Sequence, residues 1–362
     1  MKILVVSGSF YPENSPRSFR TTELVKEFSR LGHEVTVYVP EYECDYSDFL
    51  KSYSNVKLHQ MNCVNEKRTF IISERISYLW FRFKNLFFES PYLPYYFKLK
   101  KVLENECGYD MLVSVAVPHP IHWGIGRIYK KRKLAETWAA DCGDPFMLAP
   151  TFNIPKMFYF KWFEKLWCRK CDYIVVPTDT SYKGYYPEFR DKIWVIPQGF
   201  DFDAVAIPKY KKNNVPTFAY AGSFIKGWRD PRPLLEFLCT VKAPFKFIMY
   251  NKGGEALVAS YKEKLGDKLE ILAPIPRNEL LPKLAQMDFL INIGNGTNVQ
   301  TPSKLIDYTL AKRPILTIET NDIKENVLKE FLEGNYEHKD ADIDISRYDI
   351  HNVARQFINL CK

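Results

Sequence analysis

The chain has 362 residues, 46% hydrophobic and 26% charged, which is globular material longer than one hydrophobic core usually spans, so two domains are expected. Its 51 Lys and Arg against 43 Asp and Glu leave a net charge of +8, and no nucleic-acid recognition module accompanies that excess. A membrane-spanning helix is excluded by the same reading: the most apolar stretch, 76–97, is interrupted by Arg82, Lys84 and Glu89.

From the amino end, 2–7 reads as a strand, its core Ile3-Leu4-Val5-Val6 being too short for a signal peptide. A polar turn at 12–16 precedes a helix marked on one face by Leu24, Phe28 and Leu31 and closed by Gly32, and 35–39 forms the next strand. This strand, helix, strand unit belongs to doubly wound sheets. Next comes a basic and aromatic block in which Lys67, Arg68, Arg75, Arg82, Lys84, Lys98, Lys100 and Lys101 alternate with residues such as Trp80, Phe83, Phe88 and Phe97. Strands are predicted at 111–117, 134–139, 173–177 and 193–196, and a second basic and aromatic block fills 156–170. Blocks of this kind suit an anionic membrane surface, where cations meet lipid headgroups and rings settle between them; the alternative is a helix with one solvated face.

After Ile207 the Pro-bracketed segment 208–216 lacks periodicity and marks a domain boundary. The pattern then restarts, with strands predicted at 217–221, 245–250, 269–273, 289–293 and 315–318. A last helix at 350–360 presents Val353, Phe357 and Leu360, which need a partner surface. Eight scattered cysteines suit reduced thiols in a cytoplasmic protein. The close pair Cys168 and Cys171 lacks a second pair or a His partner, so no metal or redox site is expected there. The fold class is α/β with parallel sheets, in which ligands bind beyond the carboxyl ends of the strands.

Several segments carry a family likeness. In the second half these are Tyr220-Ala221-Gly222-Ser223-Phe224, Lys226-Gly227, Arg229-Asp230-Pro231 and Leu234-Leu235, then Pro302-Ser303-Lys304-Leu305-Ile306-Asp307-Tyr308 through Arg313-Pro314-Ile315-Leu316. In the first half they are Phe10-Tyr11-Pro12, Gly32-His33-Glu34-Val35 and Val195-Ile196-Pro197-Gln198-Gly199-Phe200-Asp201. In order and spacing these resemble family 4 of the retaining glycosyltransferases. Pro118-His119 with His122 and Gly124, and Ala140-Asp141-Cys142-Gly143-Asp144-Pro145, are similar to a subgroup common among bacterial surface-polysaccharide enzymes.

The resemblance implies a GT-B fold, two Rossmann-like domains with parallel sheets facing a central cleft. An acceptor domain would span 1–207 and a donor domain 208–349, with the helix 350–362 packing back on the first. It implies transfer, with retention, from a nucleoside-diphosphate sugar to a hydroxyl of a saccharide acceptor, with no cofactor and no metal. The expected acceptor is a lipid-linked saccharide of cell-surface polysaccharide synthesis, and the expected location is cytoplasmic, peripheral on the inner face of the membrane. Nucleic acid is not an expected partner.

Within that frame the two phosphates of the donor call for cations and free helix-end amides. Lys304 with Ser303 at a helix start, then Ser223, Lys226 and Arg229 after a strand, are the candidates; Gly222 and Gly227 let the backbone approach. Asp307 suits the ribose hydroxyls. The family's paired glutamates fall at Asp307 and Val299, so the first is missing, with Asn298 and Gln300 as neutral neighbours. Where relatives carry paired glycines this chain has Asn14-Ser15-Pro16-Arg17, which makes Ser15 and Arg17 side-chain candidates for the diphosphate. The loop Pro274-Ile275-Pro276-Arg277 is expected to wall the nucleobase. His119 is the candidate next to the reacting sugar, with His122 assigned to packing, and Asp141 and Asp144 are candidates for orienting the acceptor hydroxyl. The alternatives are solvated cations for the lysines and arginines, and turn caps for the aspartates. Other readings are an epimerase or hydrolase of the same fold, or a non-catalytic nucleotide-sugar-binding subunit; an NAD enzyme is disfavoured because no Gly-x-Gly-x-x-Gly follows the first strand.

Overall fold

The β-branched apolar runs of the first half form strands, and the amphipathic stretches between them form helices. The structure, a computed structural model, describes residues 1–63, 74–148, 156–224, 229–251, 255–294 and 303–361. The elements in order are β1 (Lys2–Ser7), α1 (Pro16–Arg30), β2 (Glu34–Pro40), α2 (Ser47–Ser52), β3 (Val56–Met61), α3 (Glu74–Phe88) and α4 (Pro94–Val102). They continue with β4 (Tyr109–Ala116), α5 (Pro120–Ile128), β5 (Ala135–Cys142), α6 (Phe160–Lys170), β6 (Tyr173–Val176) and β7 (Ile193–Val195). Among the described residues these strands make a seven-stranded parallel sheet of order β3-β2-β1-β4-β5-β6-β7.

Strand alternation divides the core of this unit between the two faces of the sheet. Leu4 and Val6 join Trp123, Trp138 and Trp167 in one cluster, while Ile3 and Val5 join Val25 and Phe28 of α1 in the other. α1 begins where the Ser15 side chain accepts the Ser18 N–H and Pro16 fixes the first turn, and it ends at Gly32, whose φ of +80 few other residues adopt.

The carboxyl half follows the same rule. It comprises β8 (Thr217–Ala221), α7 (Arg232–Thr240), β9 (Lys246–Tyr250), α8 (Glu255–Leu265), β10 (Leu269–Leu272), α9 (Arg277–Leu284), β11 (Phe289–Ile293), α10 (Ser303–Leu310), β12 (Ile315–Ile318) and α11 (Glu325–Leu332), followed by α12 (Ile350–Asn359). Its five described strands are parallel in the order β10-β9-β8-β11-β12. The segment leading into it is held by Asp288, which accepts the Thr217 N–H at 2.7 Å, an Asn213 Nδ2–H at 3.1 Å and the Tyr210 hydroxyl.

By contacts the chain divides into Met1–Asp201 with Arg347–Lys362, and Phe202–Ser346. α12 therefore belongs to the first unit, where Ile350, Val353, Ala354 and Phe357 are buried in the α1 cluster and Phe357 meets the Phe28 ring edge-on at 6.3 Å. The parallel sheets make this a pair of Rossmann-like domains, each with a point where strand order reverses, between β1 and β4 and between β8 and β11. At such points the loops beyond the strands diverge and leave room for a ligand.

Candidate active site

In the second unit a pocket of about 330 Å³ opens at the carboxyl ends of β8 and β9. Gly222, Ser223, Tyr250, Pro274, Ile275, Lys304, Asp307 and Tyr308 are among its lining residues. β8 ends in a tight turn: Gly222 has φ +154, a Cβ there would come 3.0 Å from the Tyr220 hydroxyl, and that hydroxyl donates to the Ser223 carbonyl at 3.1 Å. Tyr308 fixes the same end from α10, its hydroxyl accepting the Ala221 N–H at 2.7 Å.

Lys304, in the first turn of α10, donates to the Ile293 carbonyl at 2.8 Å and lies 5.0 Å over the Tyr220 ring. Burial, helped by the charge of Arg229 and opposed by Glu319, brings its pKa down to about 7. Arg229 is half-buried and its Nε has no hydrogen-bond partner among the described residues. A buried lysine that gains its proton most readily beside an anion, next to a guanidinium with an unsatisfied Nε, is an environment that favours an anion. Ser303 opens α10. Lys226, Gly227, Asn298, Val299 and Gln300 lie outside the described residues.

Asp307, expected to meet the ribose hydroxyls, is partly engaged within the protein. Its Oδ1 accepts Arg277 Nε at 2.7 Å, which leaves Oδ2 without a protein donor among the described residues, so one oxygen rather than two faces a ligand. Burial raises its carboxyl pKa and Arg277 pulls it back.

In the first unit the candidates gather at and beyond the carboxyl ends of β1, β4 and β5. Asp141 is fully buried and both its oxygens are occupied: Oδ1 accepts Arg20 Nη2 at 2.9 Å, and Oδ2 accepts Arg20 Nε and Arg17 Nη1, each at 3.1 Å. It cannot also orient an acceptor hydroxyl; its place is to hold two guanidiniums. Arg20 continues to the carbonyls of Ile196, at 3.0 Å, and Pro197, cross-linking α1 to the segment after β7. Arg17 packs over Gly143, where a Cβ would lie 3.0 Å from its Nε, and burial lowers its pKa despite Asp141. Ser15 spends its oxygen on the α1 cap. Asp144 is exposed beyond β5.

His119 is 3% exposed, and its Nδ1 is buried without a partner among the described residues. Burial, with His122, Lys156 and Arg17 acting in the same direction, holds its pKa well below the ordinary value, so the ring is neutral; a bond with the Asp144 backbone opposes this only in part. Its ring lies 4.9 Å from Phe146. His122 is a core residue: Trp138 Nε1 donates to Ser114 Oγ at 2.7 Å, Ser114 Oγ is 2.9 Å from His122 Nδ1, and burial takes the imidazole down to about 3.

The structure thus groups Gly222, Ser223, Arg229, Lys304 and Asp307 in one unit, and Ser15, Arg17, His119, Asp141 and Asp144 in the other. Sequence reasoning missed Tyr308, Arg20 and Glu164. Arg20 had a signal, its spacing of three from Arg17 on one helix face. Glu164 had none: it is a fully buried carboxylate raised to about 7 by burial, and it accepts the Met147 N–H at 3.4 Å. Among the described residues no three His, Cys, Asp or Glu side chains gather as metal ligands, and Cys168 and Cys171 are buried core residues.

The sequence model of Glycosyltransferase Family 4 matches residues 19–204, just over half of the chain. No curated protein matches it by sequence. Among solved structures, the lipopolysaccharide outer core galactosyltransferase WaaB, in its apo form, is similar with a TM-score of 0.59 at 12% identity, covering 99% of each chain. HepE of Anabaena, in complex with UDP and glucose, has a TM-score of 0.55 at 11% identity, covering 99% of this chain and 98% of its own. A UDP-GlcNAc 2-epimerase from Neisseria meningitidis, bound to UDP-GlcNAc, reaches 0.57 at 11% identity over 99% of each chain. At these identities the likeness is one of fold, and the fold is GT-B.

Proposed function

This chain belongs to Glycosyltransferase Family 4, and from that premise we propose that it transfers a sugar, with retention at the anomeric carbon, from a nucleoside-diphosphate sugar to a hydroxyl of a saccharide acceptor. The observation that carries the donor half is the meeting of Lys304, Arg229 and the start of α10 at the β8/β11 switch point, beside a pocket with an apolar wall at Pro274 and Ile275. Cations and helix-end amides there offset the charge of a diphosphate and stabilise it as it leaves, so we assign that task to side chains rather than to a metal. Asp307 Oδ2 takes a ribose hydroxyl. UDP sugars are the first donors to test, since HepE and the epimerase were solved with uridine nucleotides.

On the acceptor side, the neutral ring of His119 and the guanidinium of Arg17, braced by Asp141, serve the transferred sugar and its diphosphate. The departing phosphate oxygen takes the acceptor proton, so no protein base is invoked. We further propose that the acceptor is lipid-linked, part of cell-surface polysaccharide synthesis, and reached from an anionic membrane surface on its cytoplasmic side. Phe158 and Trp162 are 65% and 62% exposed, and Trp80, Phe83, Phe88 and Phe97 are exposed as well, among Lys84, Lys98 and Lys161. The Lys156–Glu89 ion pair at 2.8 Å and the bond from the Tyr159 hydroxyl to the Phe87 carbonyl tie the end of α3 to the start of α6. No described helix is long and apolar enough to cross a membrane.

The donor reading is tested by thermal stabilisation. UDP or a UDP sugar should raise the melting temperature of the wild-type protein and not that of Lys304→Ala; equal shifts in both remove Lys304 from the site. Flotation with vesicles containing phosphatidylglycerol tests the surface, and vesicles that fail to retain the protein reject it.

A further inference from the structure

A carboxylate stands where the donor cations gather, and the nucleotide reading gives it no role. Glu319 is the first residue after β12, and Gly294 the first after the neighbouring β11. Gly294 N–H donates to the Ile318 carbonyl at 2.8 Å, and Glu319 and Asp322 exchange backbone bonds of 2.9 and 3.1 Å that close the turn. Asp230 N–H donates to Thr320 Oγ1 at 3.1 Å, joining that turn to the loop that carries Arg229. The Glu319 backbone is therefore fixed from three directions.

Its side chain is directed by an absence of atoms. A Cβ at residue 294 would lie 2.6 Å from Glu319 Cδ and 2.8 Å from Oε2, so the carboxylate rests on the glycine's bare Cα. It is half-buried, and among the described residues it accepts no hydrogen bond and forms no ion pair. Lys304 bonds the carbonyl of Ile293, the residue before Gly294, so ammonium and carboxylate flank the same strand end. For gripping a diphosphate alone this is a poor arrangement, because the carboxylate offsets part of the positive charge that Lys304 and Arg229 present. It suits a ligand that has neutral hydroxyl donors adjoining its phosphates, since a fixed carboxylate takes such donors in strong charge-assisted bonds.

We infer that Glu319 is a specificity-determining residue of the donor site, accepting hydroxyl protons of the transferred sugar and selecting neutral hexoses over sugars that carry a carboxylate. This rests on the nucleotide-sugar reading, which locates the sugar beside the diphosphate. A uronic acid would set its own carboxylate against that of Glu319, a like-charge contact that the lysine and arginine cannot both relieve while they hold phosphate.

The test is calorimetric titration of the full chain with UDP, UDP-glucose and UDP-glucuronic acid, in wild type and Glu319→Gln. Wild type should bind UDP-glucose about tenfold more tightly than UDP-glucuronic acid, the weight of one charged hydrogen bond. Glu319→Gln should weaken UDP-glucose by about the same factor, narrow the gap to the uronate and leave UDP unchanged or tighter. Equal binding of the two sugars by wild type overturns the inference, whether or not the variant folds. So does a variant that weakens UDP and UDP-glucose alike, which is the mark of a structural role. If wild type binds UDP and neither sugar more tightly, only the inference falls; if it binds none of the three, the nucleotide reading falls and takes the inference with it.

Discussion

Donor affinity should fall as pH rises through about 7, because Lys304 enters the reaction half-discharged. Its pKa is depressed by burial in the free protein, and a bound diphosphate restores it, so binding takes up a proton. At pH 6 about nine-tenths of the free protein carries the ammonium, and at pH 8 about one-tenth does. If only the protonated form binds, the dissociation constant rises about tenfold between these values, or about 1.4 kcal/mol. A nucleotide sugar is the right ligand, since its phosphates stay ionised throughout and the titration belongs to the protein. Calorimetry at pH 8 in buffers of different ionisation enthalpy should register an uptake of roughly 0.9 proton per site. Lys304→Met should bind more weakly and lose both the pH dependence and the proton uptake. A wild-type affinity that is flat from pH 6 to 8, with no proton uptake, refutes the reasoning.

Other expectations concern the scaffold around the site. Asp141→Asn leaves Arg20 buried without its carboxylate and should cost about 3–5 kcal/mol in urea unfolding of the first unit, whereas a substrate-only residue would leave unfolding unchanged. His122, fully buried and neutral with a pKa near 3, binds fewer protons folded than unfolded at any pH between about 3 and 6.5. Stability should therefore fall as pH is lowered through about 6.5, by about 2 kcal/mol at pH 5, and His122→Asn should remove that part of the slope. Phe357→Ala, which empties the contact between α12 and Phe28, should cost about 3–5 kcal/mol by denaturant titration, and a value below about 1 would mean that α12 contributes little to the core.

The strands were legible because buried parallel strands announce themselves: Thr217–Ala221, Phe289–Ile293 and Ile315–Ile318 are short apolar runs, and each is a strand over the predicted span. β3 was missed for the same reason in reverse. It is an edge strand, and of Val56–Met61 only the two ends are buried, so its pattern is weak. β5 runs on through Asp141 to Cys142, past the predicted end at 139, because Arg20 lets a carboxylate be buried inside a strand. That pairing joins residues 121 positions apart and leaves no local trace. Gly222, Lys304 and Asp307 stood out through the family likeness together with the rule that ligands sit beyond parallel strands, and all three line the pocket of the second unit. The bond of Arg277 to Asp307 and the carboxylate of Glu319 over Gly294 depend on which strands lie side by side, and sheet order is not written in any one segment.

Transfer itself is the most direct test. With a radiolabelled UDP sugar, purified protein and a bacterial lipid extract as acceptor, the account predicts that label moves into a saccharide product only when the extract is present, with UDP released in equal amount and Lys304→Met inactive. Donor consumed at the same rate with and without acceptor, or no label transferred from any nucleotide sugar, would contradict it.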